Sequence, residues 1–139
     1  RKDDKPLAKV VYSRPLRNDR VVFGKLVSYG KVWRTGANEC TEIKFYQDVK
    51  LADKEVKAGT YSLFSIPGET QWTLILNTEL DQWGAYGYDE KKDVLRVSVP
   101  AGKSTKPIEA FTITFRENKA GGVMVLGWDT VLVEVPLEL

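Results

Sequence analysis

The sequence predicts an all-β fold, a two-sheet antiparallel β-sandwich of the jelly-roll or Greek-key type with little or no helix. Apolar and polar residues alternate with period two in several segments, as in residues 111–116, where Phe and Ile alternate with Thr and Arg. No segment sustains the 3.6-residue period of an amphipathic helix. At 139 residues the chain has the usual size of one domain. We therefore expect a single β-sandwich domain over residues 1–139.

Short strands separated by turn residues are predicted along the whole chain. The predicted strands are residues 9–12, 31–34, 41–46, 60–66, 72–77, 94–99, 108–116, 123–128 and 131–137. The pair 60–66 and 72–77, separated by Pro67 and Gly68, is typical of a hairpin at the centre of a sheet. The best helix candidate, residues 89–93, is too short for more than one turn.

Composition excludes some classes of partner. The chain has 21 Lys and Arg against 19 Asp and Glu, and the signs are interleaved, so no basic stripe is present to bind nucleic acid. No apolar run approaches the roughly 20 residues that span a bilayer. Residue 1 is Arg, and residues 1–5 are mostly charged, which predicts that the true N-terminus lies upstream. Oligomeric state is left open.

The chain contains no histidine, which removes the usual general base and the commonest metal ligand. We therefore predict no metal site and no cofactor. Cys40 is the single cysteine, so no internal disulfide is possible, and we predict it to be a small buried residue rather than a nucleophile. Carboxylate chemistry stays open, because glycoside hydrolysis needs only two converging carboxyl groups. The candidates are Glu39, Glu42, Asp81 and Asp89.

Residues 101–104 are similar to the end of a phosphate-binding loop. That motif requires a glycine where this chain has Val97, and a helix must follow its Lys-Ser step. Pro100 and Pro107 bracket the segment, which favours a loop between two strands. Nucleotide binding is therefore not predicted.

Two segments combine aromatic and polar residues in predicted turns. In residues 29–39, Trp33, Arg34, Asn38 and Glu39 surround Gly36, an arrangement that can form a small polar pocket at a strand end. The alternative is a plain turn in which Arg34 pairs with Glu39. In residues 82–89, Trp83 and Tyr86 are able either to stack on a ligand or to cap the open end of the sandwich.

The order of these motifs resembles the bacterial family catalogued as domain of unknown function 2911. The resemblance rests on Tyr-Ser-Arg-Pro at 12–15, Phe-Gly at 23–24, residues 29–39, 58–64 and 66–68, and Trp-Gly-Ala-Tyr at 83–86. Cys40 replaces the small residue, such as Ala, that is expected there. The resemblance implies a secretion signal and hence a periplasmic or secreted protein. It implies no activity, because none is established for the family.

The leading functional prediction is binding of a small polar or anionic ligand, such as a saccharide. The predicted contact residues are Arg14, Trp33, Arg34, Asn38 and Glu39, with Trp83 and Tyr86 nearby. Two guanidiniums and one carboxylate leave a net positive charge, which favours an anion. The alternatives are a carboxylate-dependent enzyme of the glycoside hydrolase kind and a structural or interaction module with an exposed apolar patch or sheet edge.

Overall fold

A computed structural model describes residues 6–119 and 121–139 of the chain. The charged residues 1–5, on which the prediction of an upstream N-terminus rests, lie outside the described residues. The described part contains eight strands and one short 3-10 helix, Glu90–Lys92. The strands are β1 (Ala8–Val11), β2 (Glu42–Phe45), β3 (Val49–Leu51), β4 (Lys54–Val56), β5 (Gly59–Ile66), β6 (Gln71–Asn77), β7 (Asp93–Asn118) and β8 (Gly121–Glu138).

The eight strands follow one hydrogen-bonded order, β1-β2-β5-β6-β7-β8-β3-β4, and every pair is antiparallel. The all-β antiparallel class is therefore confirmed, and the hairpin β5–β6 lies inside the sheet as predicted. The division into two separate sheets is not confirmed. The reason is β7, a strand of 26 residues that pairs with β6 through Pro100 and with β8 from Ala101 onward.

The interpretation of residues 101–104 as a connecting loop was wrong. Residues 101–103 continue β7 and pair with residues 131–133 of β8. The register shifts between Lys103 and Ile108 and again between Ile108 and Thr112. Such irregularities bend a strand without ending it, and they accommodate Pro107, which has no N–H to donate. Proline here marks a bend in the strand rather than its end.

Several predicted strands changed their bounds. Residues 94–99 and 108–116 are two parts of β7, and 123–128 and 131–137 are two parts of β8. Residues 31–34 form no strand, only an isolated bridge between Trp33 and Ser65. Strands β3 and β4 were not predicted, because three residues are too few to show an alternation. No helix in the described residues is long and apolar enough to cross a membrane.

The chain after β1 returns to the second half of β7. Leu16 bridges Ala110, and the Arg17 amide donates to the Glu109 carbonyl at 2.7 Å. The Phe111 amide donates to the carbonyl of Pro15 at 3.0 Å. This contact places the segment that follows β1 against β7. Both end strands of the order contribute to the core, because Val56 of β4 lies in it and Val10 of β1 packs against it.

Five aromatic rings form the centre of that core. They are Phe23, Trp33, Trp72, Phe111 and Trp128, and all are buried. Their contacting ring centroids lie 5.0 to 6.1 Å apart. Each aromatic pair contributes about 0.5–1.5 kcal/mol beyond the burial of its area. Because Phe23 and Trp33 lie outside the strands, the core holds loop residues in place as well as strands.

Asp129 anchors the loop that follows β1. Its Oδ1 accepts from Arg17 Nε at 2.7 Å, and its Oδ2 accepts from the Val22 amide at 3.2 Å. The residue is buried and lies in a left-handed turn with φ 54° within β8. Losing one member of such a pair leaves the other charge and an amide without a partner.

We expect Asp129→Ala to lower the free energy of unfolding by about 2–4 kcal/mol, less than for a fully buried pair because Arg17 is partly exposed. Urea denaturation measures the change. Glu134→Ala, which removes the exposed pair with Arg116, is the control and should cost less than about 1 kcal/mol. Equal small losses in the two variants would show that Asp129 does not anchor the loop.

Candidate functional site

Trp33 and Arg34 point to opposite sides of the chain. Trp33 is held by Ser65, whose carbonyl accepts from the Trp33 amide at 2.7 Å and whose amide donates back at 3.0 Å. Its indole enters the aromatic core. Arg34 therefore lies on the other side, where it is half-buried.

Thr35, the next residue, has a strained backbone. Its φ of 55° is left-handed, which is rare for a β-branched residue, and it is completely buried. Its hydroxyl bonds to the Ser65 hydroxyl at 2.8 Å, and its carbonyl accepts from the Thr41 hydroxyl at 2.6 Å. Such a conformation costs about 1–3 kcal/mol and is concentrated at functional sites in proteins. The strain marks residues 33–41 as a segment to examine for function.

A cleft of about 390 Å³ opens beside this segment, and we call it the cationic cleft. Three basic residues line it, Arg20, Lys31 and Arg34, and none of the carboxylates in the described part of the chain does. The other lining residues are Pro15, Leu26, Val27, Ser28, Val32, Trp33, Gly36, Ala37 and Trp128. The cleft therefore has a positive potential, and its walls are about equally polar and apolar.

The three cations of the cationic cleft keep their charge unpaired. Within residues 6–119 and 121–139, no carboxylate forms an ion pair with any of them. Arg34 Nε is shielded from solvent and has no hydrogen-bond acceptor. Arg20 is held by loop carbonyls, because its Nε donates to Arg17 O at 2.9 Å and its Nη2 to Leu16 O at 2.7 Å. One guanidinium is thus rigid and another lacks an acceptor.

A second cleft, of about 310 Å³, carries the opposite charge, and we call it the acidic cleft. Glu39, Glu42 and Asp81 line it, so three of the four candidate carboxylates share one concavity. They do not form a cluster able to hold a metal ion within the described residues. The other lining residues are Val11, Tyr12, Ser13, Cys40, Gln82 and Trp83. The fourth carboxylate, Asp89, instead caps the 3-10 helix by accepting from the Lys91 amide at 3.0 Å.

Two short segments pair to form the wall of the acidic cleft. The Cys40 amide donates to Gln82 O at 2.8 Å, and the Gly84 amide donates to Asn38 O at 3.0 Å. Glu39 and Trp83 lie opposite each other in this bridge, and the Trp83 side chain is 62% exposed. An indole face is therefore available beside the carboxylates.

The structure divides the predicted contact residues between different places. Trp33 and Arg34 line the cationic cleft, whereas Glu39 and Trp83 line the acidic cleft. Among the described residues no ion pair joins Arg34 to Glu39, the contact expected of a plain turn. The seven residues thus do not surround one cavity, and their roles in binding stay predictions.

The remaining three predicted residues line neither cleft. Arg14 donates from Nε to Phe111 O and from Nη2 to Thr112 Oγ1, both at 3.0 Å, and so holds the chain against β7. Asn38 is an exposed turn residue with φ 59°. Tyr86 is 91% exposed.

Only Trp33 and Arg34 of the residues that line the cationic cleft were selected from the sequence, and Lys31, Arg20 and Trp128 are among those that were missed. Lys31 lies within residues 29–39, and its charge close to Arg34 in the sequence could have identified it as a contact residue. Arg20 and Trp128 reach the cleft only through the fold, because Asp129 holds the loop of Arg20 and the aromatic core holds Trp128. Local sequence carries no signal for these two.

The loop that carries Trp83 is tied to the sheet by a polar network. Tyr88 Oη donates to Asp93 Oδ2 at 2.5 Å, and Arg96 donates to both groups, at 2.9 Å to the carboxylate and 2.8 Å to the phenol oxygen. Burial raises the pKa of Tyr88. Its ring packs on Phe64 at 4.9 Å, so this aromatic caps a buried cluster while Trp83 and Tyr86 face solvent.

Cys40 is a buried structural residue. Its side chain packs in a cluster with Phe64 and Ile75. Desolvation by burial, with a smaller contribution from the Glu42 charge, raises the pKa of the thiol to about 12. A thiol with this pKa carries almost no thiolate at neutral pH and is a poor nucleophile.

A family model described as "Protein of unknown function (DUF2911)" matches residues 2–137. The chain belongs to this family. The resemblance seen in the sequence is thereby confirmed. No curated protein and no solved structure matches the chain. Membership of DUF2911 supplies no activity, so the function has to be inferred from the two clefts.

The pKa of Cys40 predicts how stability changes in alkali. Above pH 9 the unfolded thiol ionises while the folded thiol stays protonated until about pH 12. The unfolded state then binds fewer protons, so the free energy of unfolding falls as pH rises, by about 1.4 kcal/mol per unit. Urea denaturation of the wild type and Cys40→Ala from pH 8 to 11 isolates this contribution, because both share all other titrating groups. Parallel pH profiles would contradict the assignment.

Proposed function

We propose that this DUF2911 domain binds a small anionic ligand in the cationic cleft. The Arg34 guanidinium supports the proposal most directly, because its Nε is shielded from solvent and has no acceptor among the described residues. A buried donor without a partner costs about 1–3 kcal/mol, and more when the group is charged. An oxyanion that contacts the accessible part of this guanidinium supplies the opposite charge that no carboxylate of the described residues supplies.

The surroundings of Arg34 support the same ligand class. Arg20 and Lys31 add two positive charges, and no carboxylate from residues 6–119 or 121–139 lines the cleft to compete with an incoming anion. The guanidinium of Arg20 is pre-positioned by two loop carbonyls, so little of its conformational freedom is lost on binding. The volume of about 390 Å³ lies in the range of small-molecule sites, about 300–1,000 Å³.

A second candidate function is saccharide binding in the acidic cleft. The observation that favours it is the exposed Trp83 indole beside Glu39, Glu42 and Asp81. Aromatic faces stack on sugar rings, and carboxylates accept hydrogen bonds from sugar hydroxyls. Glu42 already accepts from the Asp81 amide at 2.8 Å. If the cleft acts as a carboxylate-dependent glycosidase, Glu39 and Asp81 are the acid pair to test.

We also propose that the domain works in a periplasm or outside the cell. The proposal is supported by the family resemblance, which implies a secretion signal. Osmotic-shock fractionation of cells that express the tagged natural gene tests it. Recovery of the protein with cytoplasmic markers would refute it.

The cationic cleft makes a direct prediction for Arg34→Gln. In a thermal-shift screen of carboxylates, sugar acids and phosphates, at least one anion should raise the melting temperature of the wild type. Arg34→Gln should lose most of that shift, since a charge-assisted hydrogen bond is worth about 1.5–3 kcal/mol. Without anion its melting temperature should change little, because the guanidinium forms no hydrogen bond or ion pair within the described chain.

Arg116→Gln is the matched control, because Arg116 is exposed, pairs with Glu134 and lies outside the cleft. It should keep the full anion-induced shift. A similar loss of the shift in both variants would indicate general screening of surface charge. Failure of every anion to stabilise the wild type would reject the proposal.

The acidic cleft predicts a difference between two exposed aromatics. Trp83→Ala should weaken any saccharide bound there by up to about tenfold, because an aromatic contact contributes about 0.5–1.5 kcal/mol. Tyr86→Ala is the control, since Tyr86 is on the same loop but does not line the cleft. A glycan array followed by titration calorimetry measures both. Equal effects of the two substitutions, or no saccharide bound, would exclude this second candidate.

A further inference from the structure

We infer that the anion bound in the cationic cleft has an apolar body: an aryl or alkyl group that carries a carboxylate or a phosphate. This inference rests on the proposed anion-binding function of the same cleft. The inference covers fewer ligands than the proposed function, because sugar acids and inorganic anions also pair with a guanidinium. The walls of the cleft distinguish these classes.

Most polar side chains in the described walls are cations, and few are neutral. Ser28 is the one lining residue in the described part of the chain with a neutral polar side chain, apart from the indole N–H groups. The Trp128 N–H is already used, because it donates to the Glu109 carbonyl at 3.0 Å. A sugar acid brings several hydroxyls, and each one buried without a partner weakens binding. In this cleft the hydroxyls of a saccharide would compete with its carboxylate for the same cationic donors, because Ser28 supplies little else among the described residues.

Six apolar residues larger than alanine line the cleft, and the accessible ones among them are Pro15, Leu26 and Val32. The other three are Val27, Trp33 and Trp128. The two indoles stack on each other with centroids 6.1 Å apart and are buried, so they form the floor of the cleft and present little surface to a ligand. Leu26 is 46% exposed, so its side chain presents free apolar surface at the cleft. Apolar surface beside cations matches a ligand that has one charged end and one apolar end.

The size of the cleft favours the same class. A volume of about 390 Å³ is far larger than a phosphate or sulfate ion. A bare ion at Arg34 would leave water against Leu26 and the other apolar walls, and that water would be released by a ligand with an apolar body. The charged end then supplies orientation, and the apolar end supplies additional affinity.

The test is titration calorimetry of the 139-residue chain with four probes at matched ionic strength. The probes are naphthoate, glucuronate, inorganic phosphate and the neutral naphthyl methanol. Naphthoate should bind at least about tenfold more tightly than either polar anion, because burial of as few as two methylene equivalents changes affinity by that factor. It should also bind at least about tenfold more tightly than the neutral alcohol, which has no charge for Arg34.

Two substitutions connect the preference to the cleft. Leu26→Ser should reduce the ratio of naphthoate to phosphate affinity by about fivefold, because it removes an apolar wall and no charge. Leu80→Ser is the matched control, since Leu80 is similarly exposed but lines neither cleft, and it should leave the ratio unchanged. Arg34→Gln should weaken both anions. An unchanged ratio in Leu26→Ser would overturn the inference.

The outcomes separate this inference from the proposed function. If glucuronate or phosphate binds through Arg34 and naphthoate is no tighter, the cleft binds anions and the apolar-body inference is wrong. If no anion binds, both are wrong. If naphthoate binds equally well to Arg34→Gln, or no better than its neutral alcohol, the binding is apolar adsorption, which also refutes both.

Discussion

Trp33 contacts four aromatic rings from four parts of the chain: a loop, β6, β7 and β8. These contacts, together with its two hydrogen bonds to Ser65, fix the position of the Trp33 backbone. Arg34 must therefore lie on the opposite side, and Thr35 must turn with a positive φ. Both clefts are built on the chain that leaves Trp33, so their geometry depends on the packing of this one indole.

Sequence patterns predicted the fold wherever one face of a strand is buried. In residues 41–46 every second side chain is buried, as the alternation predicted. The alternation of apolar and polar residues did not predict strands that are defined by pairing with distant parts of the chain. β3 and β4 are short and are defined by pairing with each other and β8, and β7 continues past Pro100 because its other edge finds β8. A proline limits one hydrogen bond, but it does not determine whether a partner strand is present.

The candidate site was predicted as a set of residue types and not as a geometry. Arg34 and Glu39 are five positions apart, yet turns at Thr35 and Asn38, both with positive φ, direct them into different clefts. Period-two reasoning does not extend through such turns. Arg20 joins Arg34 only because the Asp129 anchor holds its loop. The types of residue at the site could be predicted from the sequence. The placement of positive and negative residues in two different clefts could not, because it depends on the fold.

The separation of Arg34 from the carboxylates lowers the stability of the folded chain when no ligand is bound. Pairing Arg34 with a carboxylate would satisfy its buried Nε, and a glycine at position 35 would relieve the backbone of its strain. Neither occurs, and both features lie in the wall of the cationic cleft or directly beside it. Strained conformations and unpaired charges persist only where surrounding packing holds them, and here the aromatic core around Trp33 provides that packing. The packing of the core thus holds both buried side-chain nitrogens that lack a partner among the described residues: Arg34 Nε beside the cationic cleft and Trp72 Nε1 within the core itself.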